Sequence, residues 1–183
     1  MIDGQRRPAA VVLGIISEAP HGVIFIERAP HLRSHAGQIG LPGGGSDPQD
    51  GGDLRVTALR EMREEVGVAA ERVQFVAELP VVRARVNNYA VTPFVAVVAP
   101  GELRIDATET VGVFTVPLAK VLSDLHSGTV NMGAIAVETP ELMYGERRIW
   151  GLTGFILRTF VDAWNDGEKP MRASIEGMLA GSA

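Results

Sequence analysis

The hydrophobic positions at the start of the chain predict two early strands. Ala9 to Ile16, AAVVLGII, is a nearly continuous apolar run, which is the pattern of a buried strand. After the turn-forming residues EAPHG, the apolar stretch VIFIE from Val23 to Glu27 predicts a second strand. The short separation favours a hairpin of these two strands. Residues 1–8 precede the first run and are expected to form an N-terminal arm.

The next part of the chain predicts a glycine-rich loop followed by a helix. The segment LPGGGSDPQDGG, residues 41–52, has the glycine, proline and aspartate density of a loop. Asp53 is a favourable N-cap and Gly67 a favourable C-cap, so the helix should lie between them. At about 100° per residue, four apolar residues fall on one arc that should face the core. They are Ala58, Leu59, Met62 and Val66.

The second half of the chain predicts alternating strands and helices. The predicted strands are residues 73–79, 89–99, 110–116 and 130–138. Pro117 suits the first turn of a helix with the sequence LAKVLSDLH, and residues 148–164 predict a closing helix. One side of that helix should carry Leu152, Phe155, Ile156, Thr159 and Phe160. The irregular alternation favours an α+β fold. We expect one domain over residues 9–166 and assign no structure to the tail, 167–183.

Composition and charge exclude several classes of protein. The chain has 183 residues and a formal net charge of -5, which disfavours a nucleic-acid-binding protein that works by neutralising phosphates. The absence of cysteine excludes disulfides, thiolate metal sites and cysteine nucleophiles. No apolar run approaches the roughly 18 residues that cross a bilayer, and neither end resembles a signal peptide or a lipidation signal. We therefore expect a cytoplasmic protein without a membrane partner.

Three glutamates on the predicted helix form a candidate metal site. Glu61, Glu64 and Glu65 lie at i, i+3 and i+4, so they should occupy one wedge beside the buried face. Carboxylates that converge at such a rim suit a hard divalent cation such as Mg²⁺, which would offset their repulsion. The alternative is a solvated charged helix with an Arg60–Glu64 pair. The preceding glycine loop favours the metal site, because glycines permit close approach of a ligand and expose carbonyl oxygens.

The loop and helix together resemble the Nudix box. In that pattern, GxxxxxE is followed by seven residues and then REUxEExGU, where U is aliphatic. The second half matches at Arg60, Glu61, Met62, Glu64, Glu65, Gly67 and Val68. The first half departs: Asp50 holds the glutamate position, and nine residues separate it from Arg60. We expect Asp47, Asp50 and Asp53 to be turn and cap residues.

The segment before the box resembles coenzyme A pyrophosphatases of the Nudix family. Their signature is an aliphatic run followed by R[SA]xxxRxxxGxxxFPGG, and it is similar to the apolar run before Arg28 and to RAPHLRSHAGQIGLPGG, residues 28–44. It departs at Ile26 in the run, where threonine is usual, and at Leu41, where phenylalanine is usual. Arg28, Arg33 and Gly37 are the matching candidates for substrate binding. Arginine suits phosphate oxygens, although both arginines could instead pair with surface carboxylates. NNYAVTPFV, TETVGVFTVPL and RIWGLTGFIL extend the resemblance downstream.

The resemblance implies a fold and a reaction. The fold is the Nudix α/β/α sandwich, with a mixed β-sheet between helices. The reaction is hydrolysis of the diphosphate bond of coenzyme A or a derivative, with Mg²⁺ or Mn²⁺ as cofactor. The implied metal ligands are Glu61 and Glu65, with Glu64 and a carbonyl of Gly43 or Gly44 in addition.

The roles of the remaining residues and the exact substrate stay open. The general base is Glu64 or Glu109, and Arg60 would orient Glu64. Another nucleoside diphosphate derivative (ADP-ribose, a nucleotide sugar or NADH), a deoxynucleoside triphosphate, and a non-catalytic sensing domain are the alternatives. The expected partner is a small-molecule nucleotide substrate of the coenzyme A class; a non-catalytic domain would instead sense a ligand or bind a protein. The sequence leaves a homodimer open.

Overall fold

The elements are taken from a computed structural model that describes residues 6–30, 37–84, 88–105, 110–133, 135–166 and 169–181, without the side chains of Met132 and Lys169. The strands are β1 (Arg7–Ile16), β2 (Gly22–Arg28), β3 (Ile39–Gly40), β4 (Gly43–Gly45), β5 (Val73–Glu78), β6 (Val82–Arg83), β7 (Tyr89–Val98), β8 (Thr110–Pro117), β9 (His126–Met132), β10 (Ile135–Tyr144) and β11 (Arg147–Ile149). The helices are α1 (Leu54–Val66), α2 (Leu118–Asp124), α3 (Gly151–Asn165) and α4 (Lys169–Ala180). Short 3₁₀ helices cover Pro48–Asp50 and Ala70–Arg72.

A mixed sheet forms the middle layer. Its order is β3-β2-β1-β7-β5. In addition, β4 pairs with β1, β8 pairs with β2, and β6 pairs with β7. β1 and β7 run parallel, whereas β1 and β2 form the predicted antiparallel hairpin. Side chains alternate along β1, so that Val12 packs under α1 while Leu13 packs against α3 and α4 on the other face. This arrangement confirms the predicted α+β class and the α/β/α layering.

Helix α1 has the predicted ends and most of the predicted buried face. The Asp53 side chain accepts a hydrogen bond from the Arg55 N–H at 2.8 Å, and Gly67 ends the helix at φ 68°. Ala58, Met62 and Val66 are fully buried. Leu59 is only half-buried, so its place on the core arc was wrong. The buried face turns further toward Thr57 and Glu65.

The sheet opens between β1 and β2, and the glycine loop fills the gap. β1 pairs β2 at Ile15 and Val23, but over Ala9 to Val11 it pairs β4 instead. A Cβ on Gly43 would lie 2.3 Å from the Ala10 carbonyl oxygen, and Gly43 has φ 150°. Any other residue at this position would collide with the β1 backbone, so glycine is required for β4 to enter the sheet.

The second half of the chain differs from the predicted elements in two places. The predicted strand 130–138 is instead part of a hairpin of β9 and β10, which turns at Gly133 (φ 66°). β10 also pairs with β11, and the three strands form a separate sheet. The predicted helix 148–164 begins only at Gly151, because residues 147–149 pair with β10 as a strand. Phe155 is 44% exposed and does not belong to the buried side of α3.

The end of the chain folds onto the core. Met171, Ile175 and Leu179 of α4 are buried in the same cluster as Phe160 and Trp164 of α3. Helix α4 thus covers one end of the sheet face that α3 also covers. Across the described segments, no helix has the length and apolarity needed to traverse a bilayer.

Candidate active site

A cavity of ≈ 630 Å³ lies where the sheet opens. Its walls come from β1, β4, β7, α1 and the start of α3, and its volume is within the usual range for small-molecule sites. The cavity contains the glycines of β4, two carboxylates of α1, two arginines and two aromatic rings. These residues are Gly43, Gly44, Gly45, Glu61, Glu65, Arg7, Arg28, Tyr89 and Trp150.

The two carboxylates lie directly against the glycine strand. A Cβ on Gly44 would be 2.4 Å from Oε1 of Glu61, so the carboxylate occupies the space that a side chain at position 44 would need. The Gly43 N–H donates a hydrogen bond of 2.8 Å to Oε2 of Glu65, whose residue is only 6% exposed. The sequence placed these glutamates at the rim of the helix, and the structure brings both to the predicted loop.

Arg60 joins the loop to the helix through a buried partner, Asp50. Its Nε and Nη2 donate to the two oxygens of Asp50 at 3.0 and 3.1 Å. The Asp47 N–H and the Thr57 hydroxyl donate to Asp50 as well, each at 2.8 Å. The Arg60 guanidinium and these donors hold the pKa of Asp50 far below its usual range, and Asp50 in turn raises the pKa of Arg60.

Asp50 therefore does more than cap a turn. Asp47 and Asp53 are caps, as expected, but the Asp50 side chain is 1% exposed and forms an ion pair with Arg60 ten residues away. The longer loop folds into the 3₁₀ helix Pro48–Asp50, which brings the carboxylate back to the guanidinium. The prediction of Asp50 as only a turn or cap residue was incomplete, because burial of a loop residue cannot be inferred from local composition.

Of the three glutamates predicted to lie together, Glu61 and Glu65 line the cavity and Glu64 does not. Arg60 Nη1 donates to Glu61 at 2.8 Å and to Glu64 at 2.9 Å, so it connects the two carboxylates. Glu64 has a 55% exposed side chain and does not line the cavity. The Arg60–Glu64 pair considered as an alternative is present, and it coexists with the arrangement of Glu61 and Glu65 around the loop.

The donors in the cavity fit a hard divalent cation that also contacts a substrate. No group of three histidine, aspartate or glutamate side chains in the described ranges is already arranged around one ion position. Mg²⁺ typically uses only one or two protein carboxylates and takes its other ligands from water and substrate phosphates. Glu61 and Glu65, beside the backbone of Gly43 and Gly44, supply such a partial set.

Arg28 is the candidate substrate-binding residue that reaches the cavity. Its Nη1 lies 3.6 Å from Oε1 of the buried Glu65, so its partner is not a surface carboxylate. The Arg28 Nε is buried and has no hydrogen-bond partner in the described structure. Gly37 forms a turn at φ 66°, with its N–H bound to the Arg28 carbonyl, and does not line the cavity. Arg33 and Glu109 lie outside the described residues.

Three cavity residues were not predicted as functional. Arg7 was placed in the N-terminal arm, yet β1 begins at Arg7, and Arg7, Ala9 and Val11 alternate toward the cavity. Extension of the period-two pattern back from Ala9 could have found it. Trp150 lay within the predicted closing helix 148–164, and Tyr89 was only the start of a predicted strand. Both rings enter the cavity through pairings that the sequence does not reveal.

Comparison with known proteins agrees with this geometry. The sequence model of the NUDIX domain family matches residues 5–133 of this chain. The uncharacterised Nudix hydrolase NudL of Photorhabdus laumondii is 35% identical over 85% of this chain and 84% of its own. NudL of Yersinia pestis is 38% identical over 84% of this chain and 77% of its own. A MutT/nudix family protein from Enterococcus faecalis has a similar structure, with a TM-score of 0.58, 16% identity, and coverage of 94% of this chain and 68% of that one.

The family match covers both the glycine loop and the glutamate helix, and two relatives exceed 30% identity over most of the chain. Members of this family are generally pyrophosphohydrolases, which agrees with a cavity that combines carboxylates and arginines. The protein belongs to the Nudix hydrolase family.

Proposed function

We propose that this protein hydrolyses the diphosphate bond of coenzyme A or its derivatives, with Mg²⁺ or Mn²⁺ as cofactor. The oxygen of water bonds to one phosphorus, the bond from that phosphorus to the bridging oxygen breaks, and the diphosphate becomes two phosphomonoester groups, one on each product, without any change in oxidation state. The products are 3′,5′-ADP and 4′-phosphopantetheine or its acyl form.

One observation carries the proposal: Arg28 lines the same cavity as Glu61 and Glu65. Arg28 opens the segment, residues 28–44, that resembles coenzyme A pyrophosphatases, and the same segment ends in the glycines of β4. Leu41, one of its two departures, is buried and lines the cavity, so the usual phenylalanine is replaced by another apolar side chain. The segment that suggests the substrate thus forms part of the site.

The chain's own residues have separable roles in this proposal. Glu61 and Glu65 would hold the metal, which when bound supplies Lewis-acid stabilisation of phosphate charge and a more acidic water. Arg28, which lines the cavity beside Glu65, would donate to a phosphate oxygen of the diphosphate. Arg60 positions Glu61 through its 2.8 Å hydrogen bond and is itself fixed by Asp50. Positioning and charge stabilisation supply most of the catalysis in phosphoryl transfer.

Two residues, Glu64 and Glu109, are candidates for the general base that would activate the attacking water. A Glu64→Gln variant tests the first candidate, because loss of a general base should lower the rate by about 10²–10⁴. Glu64 lies outside the cavity lining and is bound by Arg60, so a smaller loss, below about tenfold, would assign it to the support of Arg60 and favour Glu109. The pH dependence of kcat/KM, compared between wild type and Glu64→Gln, checks the assignment.

A substrate panel tests the proposed function. Coenzyme A, acetyl-coenzyme A, ADP-ribose, NADH and a deoxynucleoside triphosphate are each incubated with Mg²⁺ or Mn²⁺, and the products are identified by mass spectrometry. We expect coenzyme A and its acyl form to give the highest kcat/KM. Turnover of another compound with coenzyme A inert would contradict the substrate and leave the hydrolase chemistry in place. Ligand binding without turnover of any compound would contradict both.

A further inference from the structure

Arg7 occupies the part of the cavity that lies across the glycine strand from the carboxylates. Position 44 faces Glu61, whereas a Cβ on Gly45 would lie 3.2 Å from the ring of Tyr89. Adjacent residues of a strand point to opposite faces, and their Cα atoms are about 3.8 Å apart. Gly44 and Gly45 therefore face the Glu61 part and the Tyr89 part of the cavity lining, respectively, and neither places a side chain there.

Tyr89 holds the Arg7 guanidinium in place. The Arg7 Cζ lies 5.1 Å from the centre of the Tyr89 ring, and the two residues are paired across β1 and β7. The Arg7 N–H also donates to the Asn88 carbonyl at 2.9 Å, with Asn88 at φ 53°. Arg7 is an exposed residue, and these contacts restrain both its backbone and its head group.

The charge of Arg7 is not balanced within the described residues. Arg60 pairs with three carboxylates and Arg28 lies beside Glu65, but in the described structure no carboxylate forms an ion pair with Arg7. Among the described residues, Arg7 and Arg28 are the cations that line the cavity. Arg28 lies at the carboxylate end, so the Arg7 end presents a second, separate position for an anion.

We propose that Arg7, held on Tyr89, binds the phosphate of the substrate that does not take part in the reaction, and so selects 3′-phosphorylated adenine nucleotides. This inference rests on the proposed function, because coenzyme A carries a 3′-phosphate in addition to its diphosphate. Arginine binds phosphate through two parallel hydrogen bonds, and each charge-assisted bond strengthens binding substantially. A substrate that lacks the 3′-phosphate leaves Arg7 without that partner.

Calorimetric titration tests the Arg7 site without reference to turnover. Binding of 3′,5′-ADP and AMP is measured at one Mg²⁺ concentration for the wild type, Arg7→Gln, Arg7→Lys and Arg104→Gln. Arg104 is the matched control, since its side chain is 75% exposed, pairs with Glu102 and lies outside the cavity. We expect 3′,5′-ADP to bind the wild type and Arg104→Gln at least about tenfold more tightly than AMP, in line with a charge-assisted hydrogen bond. In Arg7→Gln the two ligands should bind equally, and Arg7→Lys should restore part of the preference.

Equal binding of the two ligands by the wild type would overturn the proposal, as would a lack of measurable 3′,5′-ADP binding or a preference that Arg7→Gln leaves unchanged. Urea unfolding of Arg7→Gln verifies that the variant is folded. Steady-state rates with coenzyme A and dephospho-coenzyme A separate the two proposals. If both are hydrolysed equally well, the Arg7 site is contradicted and the diphosphate chemistry stands. If neither is hydrolysed, the proposed function fails, and the calorimetric preference still decides the Arg7 site.

Discussion

Replacement of Asp50 by alanine should destabilise the fold far more than its position in a glycine-rich loop suggests. The variant removes the acceptor of four hydrogen bonds, two of them from the Arg60 guanidinium. Loss of one partner of a buried ion pair typically costs about 3–5 kcal/mol. Arg60 keeps its bonds to Glu61, Glu64 and the Gly45 carbonyl, so we expect the lower end, about 3 kcal/mol.

Asp53→Ala is the matched control, because Asp53 is exposed and accepts one cap bond from the Arg55 N–H. Loss of such a cap costs about 1 kcal/mol. Urea unfolding, followed through the fluorescence of Trp150 and Trp164, gives both free energies of unfolding if the m-values agree. A cost for Asp50→Ala no greater than that for Asp53→Ala would refute the reasoning.

The same pair predicts a specific pH dependence. Folding lowers the pKa of Asp50, so its contribution is fully present above the unfolded pKa of about 3.9 and is lost as the pH falls toward the lower folded pKa. The difference in free energy of unfolding between wild type and Asp50→Asn should therefore be constant from pH 5 to 8 and shrink below about pH 4. A difference that stays constant down to pH 3 would show that the charge of Asp50 is not responsible.

Three further predictions concern the loop, the C-terminal helix and the metal. Gly44→Ala should lower metal-dependent hydrolysis more than tenfold, since its Cβ would lie 2.4 Å from Glu61 Oε1. Gly177→Ala in α4, whose Cβ meets no atom within 4 Å, is the control, and a Gly44→Ala rate equal to the Gly177→Ala rate would contradict the clash. Ile175→Ala in α4 should cost about 2–5 kcal/mol of unfolding free energy in urea, because Ile175 is fully buried, whereas a cost below 1 kcal/mol would show that α4 is not part of the core. Chelation with EDTA should abolish hydrolysis, and Mg²⁺ should restore it; activity that persists in EDTA would exclude the proposed metal role.

Local patterns were sufficient to predict the parts of this fold that are stabilised locally. Asp53 and Gly67 mark the ends of α1 through hydrogen bonds and a backbone conformation that depend on neighbouring residues. The apolar runs of β1 and β7 are long and lie in the centre of the sheet, so their burial follows from composition. The spacing of Glu61 and Glu65 on α1 likewise placed both carboxylates on the side of the helix that meets the glycine strand.

Features that depend on distant pairing could not be predicted in the same way. The Asp50–Arg60 pair requires a loop to fold back, and the segment 147–149 is a strand only because β10 lies beside it. The period of β1 could have placed Arg7 on the cavity face, but its position beside Tyr89 depends on the register of β1 with β7, which the sequence of neither strand specifies. Glu61 and Glu65 line the cavity while Glu64 does not, and this difference depends on where the loop lies rather than on the helix period.

The most direct test of the account is the initial rate of Mg²⁺-dependent coenzyme A hydrolysis by Glu65→Gln. The glutamine oxygen can still accept the Gly43 N–H, so the fold should remain intact, with an unchanged circular dichroism spectrum. We expect the rate to fall to less than about a tenth of the wild-type rate, because loss of a metal ligand removes several kcal/mol of transition-state stabilisation. A folded variant that retains more than this rate would contradict the placement of the hydrolytic centre at Glu65.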